Sequence, residues 1–270
     1  MAERPAELAI YRMLVHGRVR SEWQYRTSFM LFLLSQAMVA TLEFTAIAVI
    51  YSNIDTLGGW SIAEVAVLVG INGVAFGIAD MFASPIEFAA LHIRQGTFDT
   101  FLIRPASPLL QLLGSEFELR RIGLIVQPTI VLAIGLQLAR VQWTPAHVLL
   151  VVVAIVSGAV IFGAIWVLTS SIAFWTVETQ ELANSFTYGG RTLGNYPIDV
   201  FGAWLRRIVT FVVPIAFVGY LPAAWLLNKP LPFGLPPGLG WGSPAVALVL
   251  VIVTRAVWRF AIRHYRSTGS

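Results

Sequence analysis

The most informative polar residues lie in one stretch, residues 93–110, which reads IRQGTFDTFLIRPASPLL. Arg94, Asp99 and Arg104 alternate there with apolar side chains. This pattern offers charged and apolar contacts to another protein, and the chain shows neither a Ser/His/Asp order nor a Gly-x-Ser-x-Gly nucleophile elbow. We therefore interpret the stretch as a docking element. The alternative is an ordinary loop beside a membrane, where Arg, Gly and Pro accumulate.

Glycine and proline mark where helices end in this stretch. Gly96 favours the end of the preceding helix, and Thr97 or Asp99 could cap a new one. Pro105 ends that new helix, because the residue before proline avoids the α region. The spacing predicts a helix of about two turns. Its apolar docking face would consist of Phe98, Phe101 and Leu102. Asp80 and Glu87, which bracket the nearby end of the second apolar segment, could pair with Arg94 or Arg104 and hold the stretch rigid.

Other residues give little support for catalysis by this chain alone. The sequence has no cysteine, and its four histidines form no HExxH or other close ligand spacing, so we expect no metal site. The only lysine, Lys229, stands between Asn228 and Pro230, so the chain lacks the Gly-Lys-Ser/Thr of a phosphate-binding loop. If ATP drives this protein, a separate subunit binds it.

Composition indicates the membrane. Hydrophobic residues make up 57% and charged residues 12% of the chain, about half the charged fraction of soluble proteins. Six apolar segments are long enough to approach or exceed a bilayer crossing, which needs about 20 helical residues. They are residues 29–51, 62–84, 122–138, 148–175, 208–227 and 244–262.

The distribution of positive charge sets the orientation. Of the 18 Lys and Arg residues, all but Arg140 and Lys229 fall on one side of these segments, and positive loops stay cytoplasmic. We expect cytoplasmic termini, including the tail 263–270, and cytoplasmic loops at 85–114 and 177–207. This distribution does not favour a nucleic-acid partner.

Two polar residues lie inside apolar segments. Glu43 could line a substrate path and favour a cation, or it could bond to a neighbouring helix or be protonated. Asn72 accompanies Gly70, Gly73 and Gly77, whose small size lets another helix approach closely. Both helix packing and a path lining are open for Asn72.

The second loop contains an amphipathic piece that could be an interfacial helix or a second docking element. Its candidate contact residues are Tyr196, Pro197, Arg206 and Arg207. Residues 228–243 are rich in Pro and Gly, and Pro214 and Pro222 interrupt the segment before them. A re-entrant arrangement and a kinked helix with a loose outer loop are both open.

Residues 1–28 are charged yet periodic, which predicts an amphipathic helix lying in the membrane interface. In such a helix the arginines face the lipid headgroups, and the aromatic rings lie partly in water at the membrane boundary. Its candidate lipid contacts are Arg12, Arg20 and Trp23.

Together these residues resemble the ABC-2 family of exporter permeases, in the viologen-exporter-like branch with six transmembrane helices. The resemblance lies in Arg94-x-Gly96-x-x-Asp99-x-x-Leu102-x-Arg104-Pro105, in Tyr196-Pro197, and in the Arg-rich six-span layout. It implies an all-α membrane protein of the type V exporter kind, with an N-terminal interfacial helix.

The resemblance also implies partners. Loop 85–114 would hold the coupling helix, which enters a groove on an ATPase subunit present in two copies. Its contacts would be Arg94, Gly96, Phe98, Asp99, Phe101, Leu102, Arg104 and Pro105. ATP and Mg²⁺ would be bound by that ATPase, and this chain would hold no cofactor.

The implied function is export of an amphipathic drug, antibiotic or toxic cation across a bacterial plasma membrane. A second permease, identical or paralogous, would complete the path. The alternatives are a secondary transporter driven by an ion gradient, an assembly protein of the membrane, and an ABC exporter of lipid or of a lipid-linked polymer.

Overall fold

The structure is a computed structural model that describes residues 4–24, 26–176 and 180–265. In these residues the regular structure is helical, with short 3₁₀ turns between the helices. The α-helices are α1 (Arg4–Gln24), α2 (Arg26–Tyr51), α3 (Ile62–Ala83), α4 (Phe88–Arg94), α5 (Asp99–Leu102), α6 (Pro108–Ser115), α7 (Gly123–Leu138), α8 (Pro145–Ser171), α9 (Gln180–Gly194), α10 (Ala203–Arg207), α11 (Tyr220–Leu226) and α12 (Ser243–His264).

Helix α3 lies at the centre of the bundle. A capping box starts it, because Ser61 accepts a hydrogen bond from the Glu64 amide and the Glu64 carboxylate accepts one from the Ser61 amide at 2.7 Å. Gly70, Gly73 and Gly77 face α7, where an added Cβ would come within 3.0 Å of its atoms. The predicted close helix approach at these glycines is confirmed.

Contacts along the helices fix their directions. Gly77 lies beside the start of α7 and residue 67 beside its end, so α3 and α7 are antiparallel. Helices α3 and α8 run parallel, since Ala75 lies near Gly158 and Ala83 near Gly163. Helix α12 packs along α8 and runs parallel to it. We call the end holding residues 85–122 the inner end and the end holding residues 52–61 the outer end.

Four helical stretches in the described residues are long and apolar enough to cross a membrane: Ile62–Arg94, Leu119–Leu138, Pro145–Phe174 and Ser243–His264. They correspond to four of the predicted segments. The predicted segment 29–51 lies in α2, where the apolar stretch Thr27–Gln36 is shorter than a span. A crossing by α2, and therefore a total of six, stays a prediction.

The predicted cytoplasmic loop 177–207 is wrong, because α9 runs through the bundle. Tyr188 contacts Asp80 near the inner end of α3. Asn195 contacts Asn72, which lies about 15 Å from the outer end of α3. Asp199 then accepts a hydrogen bond from Trp60 at the outer end. The chain thus passes from the inner to the outer end between residues 180 and 199.

The predicted span 208–227 is instead a re-entrant segment. Helical stretches Ala203–Val212 and Ile215–Leu226 meet at 71°. Arg206 bonds to the Asp199 carbonyl at the outer end, Val218 then packs on Gly158 inside the bundle, and Trp225 returns to the outer end. Both limbs therefore open at the outer end, which favours the re-entrant arrangement over a kinked crossing.

A polar cluster closes the outer end over this segment. The Trp60 indole donates to Asp199 at 3.1 Å, and the Tyr220 hydroxyl donates to the same carboxylate oxygen at 2.5 Å. Lys229 pairs with Glu64 at 3.0 Å. These contacts join the start of α3 to residues from both sides of the re-entrant segment and hold it in place.

The revised path of the chain makes a labelling prediction. A single cysteine at Trp204, which is 68% exposed, is expected to react from the face of the membrane opposite to that of a cysteine at Ile103. The chain has no native cysteine, so impermeant maleimide applied to sealed vesicles of known orientation measures this directly. An Ile54→Cys variant serves as the outer-end control, and labelling of Trp204→Cys together with Ile103→Cys from one face would contradict the fold.

Candidate functional site

Three short helices build the docking stretch at the inner end. Helix α4 ends at Arg94, and Gly96 follows with a φ of +67°, a left-handed conformation that favours glycine. The predicted helix stop at Gly96 is therefore confirmed. Helix α5 is shorter than the two turns predicted, and the residue before it, Phe98, makes no side-chain cap. The Thr97 hydroxyl bonds to His92 of α4 instead, and a capping role for Asp99 stays a prediction.

The predicted apolar docking face is partly wrong, since two of its members are buried in this chain. Phe98 is 0% exposed, and its ring meets those of Phe174 and Tyr265 at 5.2 and 5.1 Å. Phe101 is also buried, beside Phe98 and His92. These rings anchor the stretch to the inner ends of α8 and α12, so they are not available to a partner.

What projects from this anchor is a short tip, residues 102–105. Ile103 is 83% exposed, and Leu102, Arg104 and Pro105 are also exposed. The Gln111 amide holds the tip from behind, donating to the carbonyls of Phe101 and Ala106 at 2.9 and 2.8 Å. Arg94 lies exposed on α4, and Asp99 is partly exposed.

Gln111 was not singled out from the sequence. A glutamine inside the apolar run PLLQLLG is a signal, because a buried amide needs hydrogen-bond partners. The tip supplies those partners as two backbone carbonyls. Arg104 and Pro105 thus belong to a braced turn.

The expected pairing of Asp80 and Glu87 with Arg94 or Arg104 is wrong. Asp80 accepts a hydrogen bond from Arg121 at 2.6 Å with its side chain 1% exposed. Glu87 accepts one from the Trp166 indole at 2.5 Å. Both carboxylates are turned toward the bundle, whereas Arg94 and Arg104 lie on the surface of the docking stretch.

Around Arg121 an ionic cluster joins the spans at the inner end. Arg121 also donates to Glu118 at 2.8 Å, Arg120 donates to the other oxygen of Glu118 at 2.5 Å, and the Tyr188 hydroxyl donates to Asp80 at 3.4 Å. The cluster therefore ties α3, the start of α7 and α9 to the residues that follow the docking stretch.

The pKa of Glu118 lies below its ordinary value of 4.5: burial raises it, but the hydrogen bonds from Arg120 and Arg121 outweigh that effect. A depressed pKa in the folded state adds stability above the ordinary pKa, and this stability is lost as pH falls through the folded value. We expect Glu118→Gln to lower the melting temperature at pH 7 and this deficit to close below pH 4.5.

The measurement is the melting temperature in detergent of wild type and Glu118→Gln from pH 7 to about pH 3.5. Asp55→Asn, which alters an exposed carboxylate at the outer end, is the control and should match wild type throughout. A deficit of Glu118→Gln that stays constant with pH would contradict the ionic role of Glu118.

Helix α1 packs beneath this inner end. Tyr11 and Leu14 pack against Gly114 of α6, and Arg18 pairs with Glu116 at 3.0 Å. The predicted lipid contacts Arg12 and Arg20 are exposed on this helix, whereas the side chain of Trp23 lies outside the described residues. An interfacial position for α1 stays a prediction.

Asn72 bonds α3 to α9. Its amide donates to the Arg191 carbonyl at 3.1 Å and to Asn195 at 2.8 Å. The Arg191 guanidinium lies 5.1 Å from the centre of the Phe76 ring. Asn72 therefore holds a packed helix pair and does not line an open path, and the side chain of Glu43 lies outside the described residues.

The predicted second contact surface lies at the wrong end for its proposed role. Tyr196, Pro197, Arg206 and Arg207 stand near Asp199 and the outer cluster, separated from residues 102–105 by the length of α9. Pro197 is buried. Arg206 donates to the carbonyls of Ile198 and Asp199. These residues shape the outer end. In the described residues, no three His, Asp or Glu side chains converge to hold a metal ion.

Comparison with known proteins identifies a family. A family model described as "ABC-2 family transporter protein" matches residues 37–269, which include the docking stretch, α9 and the re-entrant segment. No curated protein and no solved structure matches the chain.

Proposed function

The chain belongs to the ABC-2 family of transporter proteins as a membrane permease, and from this we propose that it exports amphipathic small molecules using ATP held by a separate ATPase. The cargo would be a drug, an antibiotic or a toxic cation. Family membership implies an ABC ATPase partner. The exporting direction, the cargo and the bacterial plasma membrane are our proposal.

The observation that carries the proposal is the exposed tip on a buried aromatic anchor. Residues 102–105 project from the inner end, and Phe98 fixes them against Phe174 and Tyr265 at the ends of α8 and α12. A force on the tip would therefore move two spans. The adjoining ionic cluster would carry the same displacement to α3 and α7.

Helix α9 supports a shared path between two permeases. Ser185 and Thr192 are exposed on it, and nothing lies within 4 Å of the position a Gly189 side chain would take. Such a polar face is unfavourable against lipid. In our proposal this face of α9 points toward a second permease, identical or paralogous, across a water-filled translocation path.

In this mechanism two ATPase copies close on ATP and Mg²⁺ and move the two tips. The bundles then rock between states that open inward and outward. Export requires that the cargo and ATP bind these states with different affinities, since a ligand shifts an equilibrium only by such a difference.

The test is purification of the tagged chain from native membranes in mild detergent, followed by mass spectrometry and an ATPase assay. We expect an ABC ATPase subunit to copurify and ATP hydrolysis to accompany it. If the chain emerges folded but without an ATPase, the proposed function fails, and a transporter driven by an ion gradient becomes the better account.

A further inference from the structure

A groove of about 710 Å³ opens at the inner end between α12, α8 and α6. Its walls are apolar, with Phe82, Val160 and Leu113 among them, and Trp258 is buried at its back. Along α12 it extends from Val251 to Ile262, about 16 Å at helical rise. That length equals the depth of one leaflet, since the hydrocarbon core is about 30 Å thick.

Two arginines of α12, Arg255 and Arg259, line this groove. They lie one helical turn apart, about 18 and 24 Å from Ser243 at the outer end of the helix. These distances place both backbone positions in the inner half of a hydrocarbon core about 30 Å thick, and long arginine side chains reach from there toward the lipid headgroups. An anionic group at that level would supply a counter-charge for both guanidinium groups.

The protein supplies no such counter-charge in the described residues. No carboxylate oxygen of the described chain lies within 4.0 Å of either guanidinium. The one acidic side chain of the lining, Glu7, accepts a hydrogen bond from the Ser107 amide. Counting Arg255, Arg259 and Glu7, the groove keeps a net positive charge.

We infer that this groove binds an anionic phospholipid of the inner leaflet, its phosphate on Arg255 and Arg259 and one acyl chain along the wall of α8. Guanidinium groups bind phosphate with two parallel hydrogen bonds, and basic pockets between spans recognise acidic headgroups. Because α6 forms the opposite wall, the lipid would lie between the docking stretch and α12. This inference holds whether or not the chain exports a small molecule.

The test is native mass spectrometry of the purified chain titrated with dioleoyl phosphatidylglycerol, with dioleoyl phosphatidylcholine as the zwitterionic comparison. We expect Arg255→Gln/Arg259→Gln to bind phosphatidylglycerol roughly thirtyfold more weakly, since each arginine near the membrane contributes about fivefold. Arg263→Gln, on the same helix but outside the groove, is the matched control and should bind like wild type.

A second variant separates the groove from its charge. Val160→Trp fills the groove and leaves both arginines in place, and it should also weaken phosphatidylglycerol binding, with size-exclusion elution unchanged. Three results would each overturn the inference: wild-type binding by the double variant, an equal loss in Arg263→Gln, or equal affinity of wild type for phosphatidylcholine.

Discussion

Ile103→Asp is expected to release the ATPase from the permease. Ile103 is the more exposed of the two large apolar side chains of the tip, at 83% against 40% for Leu102, and its burial in a partner groove would make it an apolar anchor of the interface. An aspartate there would have to enter the groove as an unpaired charge, which is strongly unfavourable. We expect affinity for the ATPase to fall at least about a hundredfold, or nearly 3 kcal/mol.

The measurement is the amount of ATPase retained on the tagged permease, quantified by mass spectrometry and by ATP hydrolysis. Ile54→Asp is the matched control, because it makes the same substitution at an exposed isoleucine of the outer end. The control should retain the ATPase. If Ile103→Asp is folded and retains as much ATPase as wild type, the tip is not the docking element.

The docking stretch shows how far sequence reasoning reaches. Gly96 marks a helix stop because its left-handed φ is a backbone requirement that sequence can reveal. The spacing of Phe98 and Phe101 correctly predicted an apolar face. Periodicity, however, cannot say whether that face packs inward or toward a partner, and Phe174 and Tyr265 decide it from distant parts of the chain.

Helix α9 was missed because hydropathy averages over a whole segment. Tyr188 and Arg191 make the segment polar. Inside the bundle, however, Tyr188 bonds to Asp80 and the Arg191 guanidinium packs on the Phe76 ring.

Hydropathy instead predicts the fifth span in the apolar stretch that follows α9, residues 208–227. Most apolar residues of its second limb, Ile215–Leu226, are buried against other helices of this chain, whereas Phe211 and Val212 in the first limb are exposed. In the second limb the hydropathy therefore reflects packing within the protein and not contact with lipid.

This correction leaves the orientation argument in place. Arg206 and Arg207 move to the outer end, and Arg191 lies within the bundle. In the described residues the remaining arginines, apart from Arg140, still lie in the half of the bundle that holds the docking stretch. The end of the bundle that is rich in arginine is therefore the inner end, where the fold also places the docking stretch.

The ionic cluster explains the second large effect that we expect, a loss of stability in Asp80→Ala. This change leaves Arg121, whose side chain is 18% exposed, without its main partner. Breaking a buried pair from one side costs about 3–5 kcal/mol when the remaining charge is left unpaired. Arg121 keeps its contact with Glu118 at 2.8 Å, so we expect the lower end of that range. For a chain of this length that corresponds to a fall in melting temperature of roughly ten degrees.

A double variant, Asp80→Ala/Arg121→Met, distinguishes this charge effect from a general loss of packing. Removing both charges should recover much of the stability, since an apolar replacement of a buried pair is often close to neutral. Glu116→Ala is the control for an exposed pair: it breaks the contact with Arg18, whose side chain is 46% exposed, and should cost at most about 1 kcal/mol. Thermal unfolding in detergent measures all three variants. A double variant less stable than Asp80→Ala would show that Arg121 stabilises the inner end through contacts other than Asp80, with Glu118 as the first candidate.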